Sequence, residues 1–188
     1  MTDAMIFLRM FLRYPAMLGS VWPSSSSLCS RLMRLADWNE TRYVVEYGPG
    51  VGTITRHILE RLRSDGMLIA IEKNPELVEY LRDRFGFGDS RLKIVHGSAA
   101  DVRTILTQHG IGAADCIVSG VPFSLLPARE AQRILHQTRE SLSPQGKLLI
   151  YQFSNAIEQR LRCHFKLEHS GREMWNFLPA RTYVASLA

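Results

Sequence analysis

The sequence predicts an α/β fold: a single doubly wound, Rossmann-like sheet of seven strands, ending in an antiparallel C-terminal strand pair and preceded by an N-terminal helical extension. Three observations predict it. Short apolar runs alternate with amphipathic stretches along the chain, the pattern of βα units around a mostly parallel sheet. The first run, Val44-Val45-Glu46-Tyr47, ends in an acid followed by Gly48-Pro49-Gly50-Val51-Gly52, a turn in which the backbone approaches a ligand more closely than a β-carbon permits. The next run, Met67 to Ile71, ends in Glu72, 20 positions beyond Gly52, where a ribose-binding acid belongs in a βαβ unit.

Taken in order, Tyr43 to Tyr47 is the first strand and Gly52 to Leu62 the helix it feeds. Met67 to Ile71 is the second strand. Asn74 to Phe85 follows as a helix, with Asn74 as N-cap and Pro75 in the first turn, where its missing N–H is harmless. Arg91 to Val95 is a short strand, Asp101 to His109 a helix, and Asp115 to Ser119 an apolar strand. Pro127 to Ser141 is helical and Lys147 to Phe153 extended. Two β-rich pieces, Cys163 to Glu168 and Arg181 to Leu187, form the antiparallel pair on the sheet edge. Residues 1–40 are expected to be an N-terminal amphipathic helix and lid over the ligand, ahead of a single domain at 41–188.

Composition allows one such domain. A chain of 188 residues with 46% hydrophobic content buries a full core, and no Gly/Ser/Pro-rich linker divides it. The net charge of +5 fits RNA, an anionic membrane or merely a solvated basic face. Cys29, Cys116 and Cys163 are odd in number and lack paired spacing, so no disulfide framework or metal site is expected and a reducing cytoplasm is the natural setting. Cys163-His164 reads as strand packing.

The glycine turn points to S-adenosylmethionine. A dinucleotide fingerprint needs its third glycine one position later, where Thr53 stands, and a helix N-terminus left free for pyrophosphate. Glu46 is instead an acid, suited to the cationic methionine end of the cofactor. Four features fall at the carboxyl ends of strands, where such folds bind ligands: Glu46, Glu72, the Gly97-Ser98-Ala99 turn and Ser119-Gly120. With Thr53, Lys73 and Asn74 beside them, they make up the expected donor site. Ser24 and Ser25, in Trp22-Pro23-Ser24-Ser25-Ser26-Ser27, offer hydroxyls and amides to the methionine carboxylate, or simply cap the helix that follows over Leu28 to Leu35.

The first eighteen residues are apolar except for Thr2, Asp3, Arg9, Arg13 and the Tyr14-Pro15 pair, the two arginines lying one helical turn apart. About fifteen residues at roughly 1.5 Å each fall short of a hydrocarbon core of about 30 Å, so a span is not expected. A basic start and a small-residue cleavage site are absent, which argues against a signal peptide. Two readings remain: a helix lying in the membrane interface with its arginines near anionic phosphates, or a core-packing helix that covers the cofactor.

Several segments together resemble the class I methyltransferases, and within them the bacterial phospholipid N-methyltransferases of the phosphatidylethanolamine type. They are Val45-Glu46-Tyr47-Gly48-Pro49-Gly50, Gly19-Ser20-Val21-Trp22-Pro23-Ser24-Ser25, Val118-Ser119-Gly120-Val121-Pro122-Phe123 with Leu126-Pro127, and Trp175-Asn176-Phe177-Leu178-Pro179-Ala180. The resemblance implies a peripheral enzyme on the inner face of the cytoplasmic membrane. It would move methyl groups from S-adenosylmethionine to a phospholipid head-group amine, leaving S-adenosylhomocysteine. On the same resemblance Glu46 meets the methionine amine, Gly48, Gly50 and Gly52 line the cofactor, and Glu72 holds the ribose hydroxyls. Ser98 stands where many members of the superfamily place an Asp against the adenine amine.

The rRNA adenine dimethyltransferases are the related alternative, with a soluble small amine as a third acceptor. Their Asn-Leu-Pro-Tyr loop aligns with Gly120-Val121-Pro122-Phe123. A ring-conjugated amine needs the Asn oxygen because its lone pair is delocalised, and Gly120 has no side chain to offer. An aliphatic amine needs no such clamp once its proton is lost, so the lipid reading is preferred and nucleic acid is the lesser partner. The acceptor site is expected over Ser119, Gly120, Val121, Pro122 and Phe123, with Tyr14, Trp22, Tyr151 and Trp175 as walls. Phe123 and Tyr151 have the alternative of being core residues, and Trp175 of capping the sheet edge. No proton acceptor announces itself.

Overall fold

A computed structural model describes residues 26–86, 88–152, 154–173 and 180–188. Helix α1, Ser26–Met33, precedes β1, Tyr43–Tyr47, which the glycine turn joins to α2, Thr53–Leu59. Then come β2, Met67–Glu72; α3, Pro75–Phe85; β3, Leu92–His96; a 3-10 turn, Ala99–Asp101; and α4, Val102–Gln108. Strand β4, Ala114–Ser119, leads through a second 3-10 turn, Phe123–Leu125, to α5, Ala128–Ser141, and β5, Leu142–Gln152. Helix α6, Glu158–His164, and strands β6, Lys166–Glu173, and β7, Ala180–Ser186, complete the chain.

The seven strands form one sheet in the order β3-β2-β1-β4-β5-β7-β6. Five run parallel, and β7 is antiparallel to both β5 and β6. Strand order reverses between β1 and β4, so the crevice at their carboxyl ends is the switch point where doubly wound sheets take ligands. Alternate residues feed two cores. Val45, Tyr47, Ile69, Ile71, Ile117 and Ile150 pack on the face covered by Ile105, Leu106, Ile134 and Leu135 of α4 and α5. Val44, Leu68, Cys116, Val118 and Leu149 pack on the other, under Leu32 and Met33 of α1 and Ile54 and Ile58 of α2. Each fully buried Ile or Leu contributes about 1.5–3 kcal/mol, so central strands loaded on both faces hold the crevice rigid.

Local chemistry sets the element ends. The Asn74 side chain accepts the Glu76 N–H at 2.9 Å with Pro75 behind it, as the sequence predicts. Two parts of the tail differ. Cys163 and His164, expected in a strand, end α6 instead, because Ile157, Leu161 and Phe165 recur every four residues and all three are buried. An Arg162–Glu158 pair at 2.9 Å supports that turn. The last parallel strand also begins earlier than expected: Leu142 pairs with Ala114, and the register then shifts so that Lys147 meets Cys116, which leaves Pro144 in the irregular part.

Cys29 and Cys116 are buried, and burial pushes both thiols up to about 12, whereas Cys163 is exposed. Among the described residues no group of three or more His, Cys, Asp or Glu side chains is placed to hold a metal ion. No helix among them is long and apolar enough to cross a membrane.

Candidate active site

At the carboxyl ends of β1 and β2 a cleft of about 500 Å³ opens over the glycine turn. Gly48, Gly50 and Gly52 have φ of 66°, 59° and 79°. Gly52 shows why: it is the left-handed N-cap of α2, and a Cβ there would sit 2.4 Å from Phe85 Cε2 and 2.9 Å from Leu81 Cδ2. The turn is thus clamped from behind by α3, with Gly48 N–H donating to Ile71 O at 3.0 Å and Gly52 N–H to Pro49 O at 2.9 Å. Gly50 N–H donates to Glu72 Oε2 at 3.2 Å, and Asn74 N–H donates to Oε1 at 2.9 Å.

Glu72 is 4% exposed, and burial holds its carboxyl above the ordinary glutamate range against the pull of those backbone donors. A carboxylate has about four lone-pair sites, and two remain for a ligand. The cleft wall alternates polar and apolar groups: Ile71, Ala99, Leu126 and Ile134 are flat and greasy, while Ser98 and Glu72 face in between. Such a lining fits an adenosine moiety, with the diol at Glu72 and the purine between the aliphatic side chains. Ser98 Oγ caps the 3-10 turn by accepting Ala100 N–H at 3.2 Å, and Gly97 continues the wall. Lys73 lies on the rim, its Nζ 3.1 Å from Glu130 Oε1.

Glu46 sits deeper and is no part of that wall. It is 2% exposed and accepts the Thr55 hydroxyl at 2.6 Å. Burial, with a smaller push from Glu72, raises its carboxyl to about 8. An acid held this way gains from any cation brought against it, and none is provided among the contacts that the structure describes. Thr53 opens α2 one residue beyond the glycine turn.

Gly120 N–H donates to Tyr47 O at 3.0 Å, which ties the loop after β4 to the end of β1. Val121 and Pro122 of that loop line the cleft. Ser119 is fully buried, and its Oγ accepts Val121 N–H at 3.4 Å. Phe123 takes the second of the two places the sequence offers it, the core rather than the acceptor floor: it is 3% exposed and packs in the core from the 3-10 turn. The volume over Gly120 is already taken: a Cβ there would collide with the Tyr151 hydroxyl and lie 2.8 Å from Tyr151 Cζ. Tyr14, Trp22, Ser24, Ser25 and Trp175, together with the N-terminal interfacial helix, lie outside the described residues.

Sequence reasoning missed four contributors. Thr55 is signalled only by the need of a buried acid for a donor. Leu125, 54% exposed at the cleft mouth, and Glu130 carry no motif. Gln152, 4% exposed, donates from Nε2 to Val121 O at 2.7 Å and so fixes the loop after β4 to the end of β5.

Known proteins bear on this geometry. Residues 44–146 match the family model described as a methyltransferase domain. An ornithine lipid N-methyltransferase of Singulisphaera acidiphila is 34% identical over 146 residues, 78% of this chain and 76% of that protein. The ribosomal RNA small subunit methyltransferase A of Prochlorococcus marinus is 32% identical over 108 residues, 57% of this chain but only 37% of that protein. Among solved structures, the glycopeptide N-methyltransferase MtfA complexed with S-adenosyl-L-homocysteine aligns with a TM-score of 0.70 at 13% identity, covering 87% of this chain and 90% of that one.

Proposed function

Since the chain belongs to the class I S-adenosylmethionine-dependent methyltransferases, we propose that it is an N-methyltransferase acting on the head-group amine of a membrane lipid. The observation that carries this reading is the ornithine lipid N-methyltransferase of Singulisphaera acidiphila, similar across three quarters of both chains. Ornithine lipid and phosphatidylethanolamine each present an aliphatic amine, and the reading covers both. It is the chemistry that the acceptor end favours. Position 120 has no amide to draw a proton from a ring-conjugated amine, and the neighbouring hydroxyl is a neutral acceptor suited to an sp3 nitrogen.

Bound in the cleft, S-adenosylmethionine supplies an electrophilic methyl group on a sulfonium. The chain's residues do the rest by placement. Glu72 holds the ribose diol, and Glu46 waits for the methionine ammonium. The loop Ser119 to Pro122 forms the floor on which the amine arrives. Bringing the nitrogen to about 3–3.5 Å from the methyl carbon in line with the sulfur can supply about 7–11 kcal/mol of the barrier in favourable cases. The first eighteen residues, apolar with Arg9 and Arg13, are the proposed membrane contact, holding the cleft at the head-group layer on the cytoplasmic face.

RNA is the second reading, favoured by the ribosomal RNA small subunit methyltransferase A relative, whose likeness covers a smaller share of both proteins. Initial rates separate the two. With labelled S-adenosylmethionine, vesicles containing ornithine lipid or phosphatidylethanolamine are expected to take label faster than an rRNA fragment or soluble amines. Faster transfer to RNA overturns the lipid reading.

A further inference from the structure

The end of β5 sets a tyrosine against the loop after β4. Ser119 pairs with Ile150 in parallel register, so Gly120 and Tyr151 are the next pair beyond it. The phenol leans across that pair and fills the volume that any side chain at 120 would take. This point adjoins the donor site, because the Cβ position of Gly48 is 3.5 Å from Val121 Cγ2 and 4.0 Å from the Gly120 carbonyl carbon. On its other side Tyr151 pairs with Thr182, and Thr182 with Gly171. Thr182 is fully buried, and its Oγ1 has no hydrogen-bond partner among the described residues. The row across the sheet end is therefore glycine, tyrosine, threonine, glycine: two hydroxyl-bearing residues flanked by positions without side chains. The Gln152 bond to Val121 O locks this row to the loop after β4.

We propose that Tyr151 Oη is the acceptor-site group that receives a hydrogen bond from the substrate amine N–H and aims its lone pair at the donor methyl. The role rests on the amine reading above. In the step, the amine lone pair forms the new C–N bond while the C–S bond breaks with its electron pair going to sulfur, and the product ammonium gives its proton to water. A neutral phenol oxygen suits this better than a carboxylate. A carboxylate beside the nitrogen would favour the protonated ammonium, which has no lone pair to give.

The test uses Tyr151→Phe, which keeps the ring and removes the hydroxyl, and Gly120→Ala, which keeps the tyrosine and displaces it. Both are assayed with vesicles of the lipid amine that the native chain methylates. Alongside run S-adenosylhomocysteine affinity by calorimetry, thermal melting, and the tyrosine ultraviolet difference spectrum on adding that amine to the S-adenosylhomocysteine complex. Each variant is expected to lose about tenfold or more in kcat/KM for the acceptor, with product affinity within about twofold and melting intact. Tyr151→Phe is expected to lose the tyrosine difference signal. Native kcat/KM in a folded Tyr151→Phe overturns the role while leaving the amine reading standing. A loss matched by an equal loss of S-adenosylhomocysteine affinity also overturns it, since the tyrosine then serves the donor. If the native chain methylates RNA and no amine lipid, the amine reading fails first and this role with it.

Discussion

Replacing Glu72 with Gln tests the donor cleft at its best-defined point. The two carboxylate oxygens each accept one backbone N–H, from Asn74 at 2.9 Å and from Gly50 at 3.2 Å, and each keeps a lone pair for one ribose hydroxyl. An amide in the same place turns one oxygen into a donor. That end can neither accept the backbone N–H nor take the hydroxyl proton. Hydrogen bonds to a charged acceptor are worth about 1.5–3 kcal/mol, so losing one end of the diol weakens cofactor binding by roughly 10-fold to 150-fold. Stability is expected to change by less than about 1 kcal/mol. Burial already disfavours the charge, and removing that penalty offsets the orphaned N–H. Calorimetric titration with S-adenosylhomocysteine, with thermal melts of both proteins as control, reads both quantities. A folded Glu72→Gln variant with Kd within about twofold of the native chain would mean that Glu72 does not hold the ribose diol.

Four further outcomes can be measured. Glu46 titrates near 8 in the native chain against the ordinary 4.5, so between those values the folded protein keeps a proton that the unfolded chain has lost. Stability should therefore fall as pH rises through that window, by at most about 1.4 kcal/mol per pH unit, and Glu46→Gln should flatten the melting profile. If the methionine ammonium meets Glu46, cofactor binding near pH 7 releases close to one proton, which titrations in buffers of different ionisation heat will show. Gly52→Ala should destabilise by about 1–2 kcal/mol or more in denaturant unfolding, because φ is 79° and the new methyl meets Phe85 and Leu81. Deleting residues 1–12 should reduce sedimentation with anionic vesicles more than it reduces S-adenosylhomocysteine affinity; equal pelleting would make that segment a packing element.

The parallel half of the fold was legible because its strands are apolar on both faces and its turns carry glycines and an N-cap that few other structures need. Tyr43 to Tyr47 and the Asn74–Pro75 start fall where expected. The tail was harder. Ile157, Leu161 and Phe165 keep a helical period, but the adjoining β-prone Cys163 to Glu168 masked it, and the true strand begins at Lys166. Around the cleft, motifs pointed to Glu72 and to Val121 and Pro122 of the loop after β4, which line it, and to Glu46, which lies behind its wall, because chemistry at strand ends leaves a residue signature. They said nothing of depth. That Glu46 is buried against Thr55, that Phe123 turns inward and that Tyr151 fills the space over Gly120 are products of side-chain packing between elements distant in sequence.

Competition between acceptors in one vessel reads directly whether the methyl group ends on an aliphatic lipid nitrogen. Carbon-13 methyl-labelled S-adenosylmethionine is supplied with the native chain, vesicles of phosphatidylethanolamine and ornithine lipid, and an rRNA fragment. Lipid head groups and digested nucleosides are then read by mass spectrometry. Label is expected on a head-group amine in the organic phase, with adenine unlabelled. Label on the exocyclic nitrogen of adenine, with the lipid amines untouched, would make the chain a nucleic-acid methyltransferase instead.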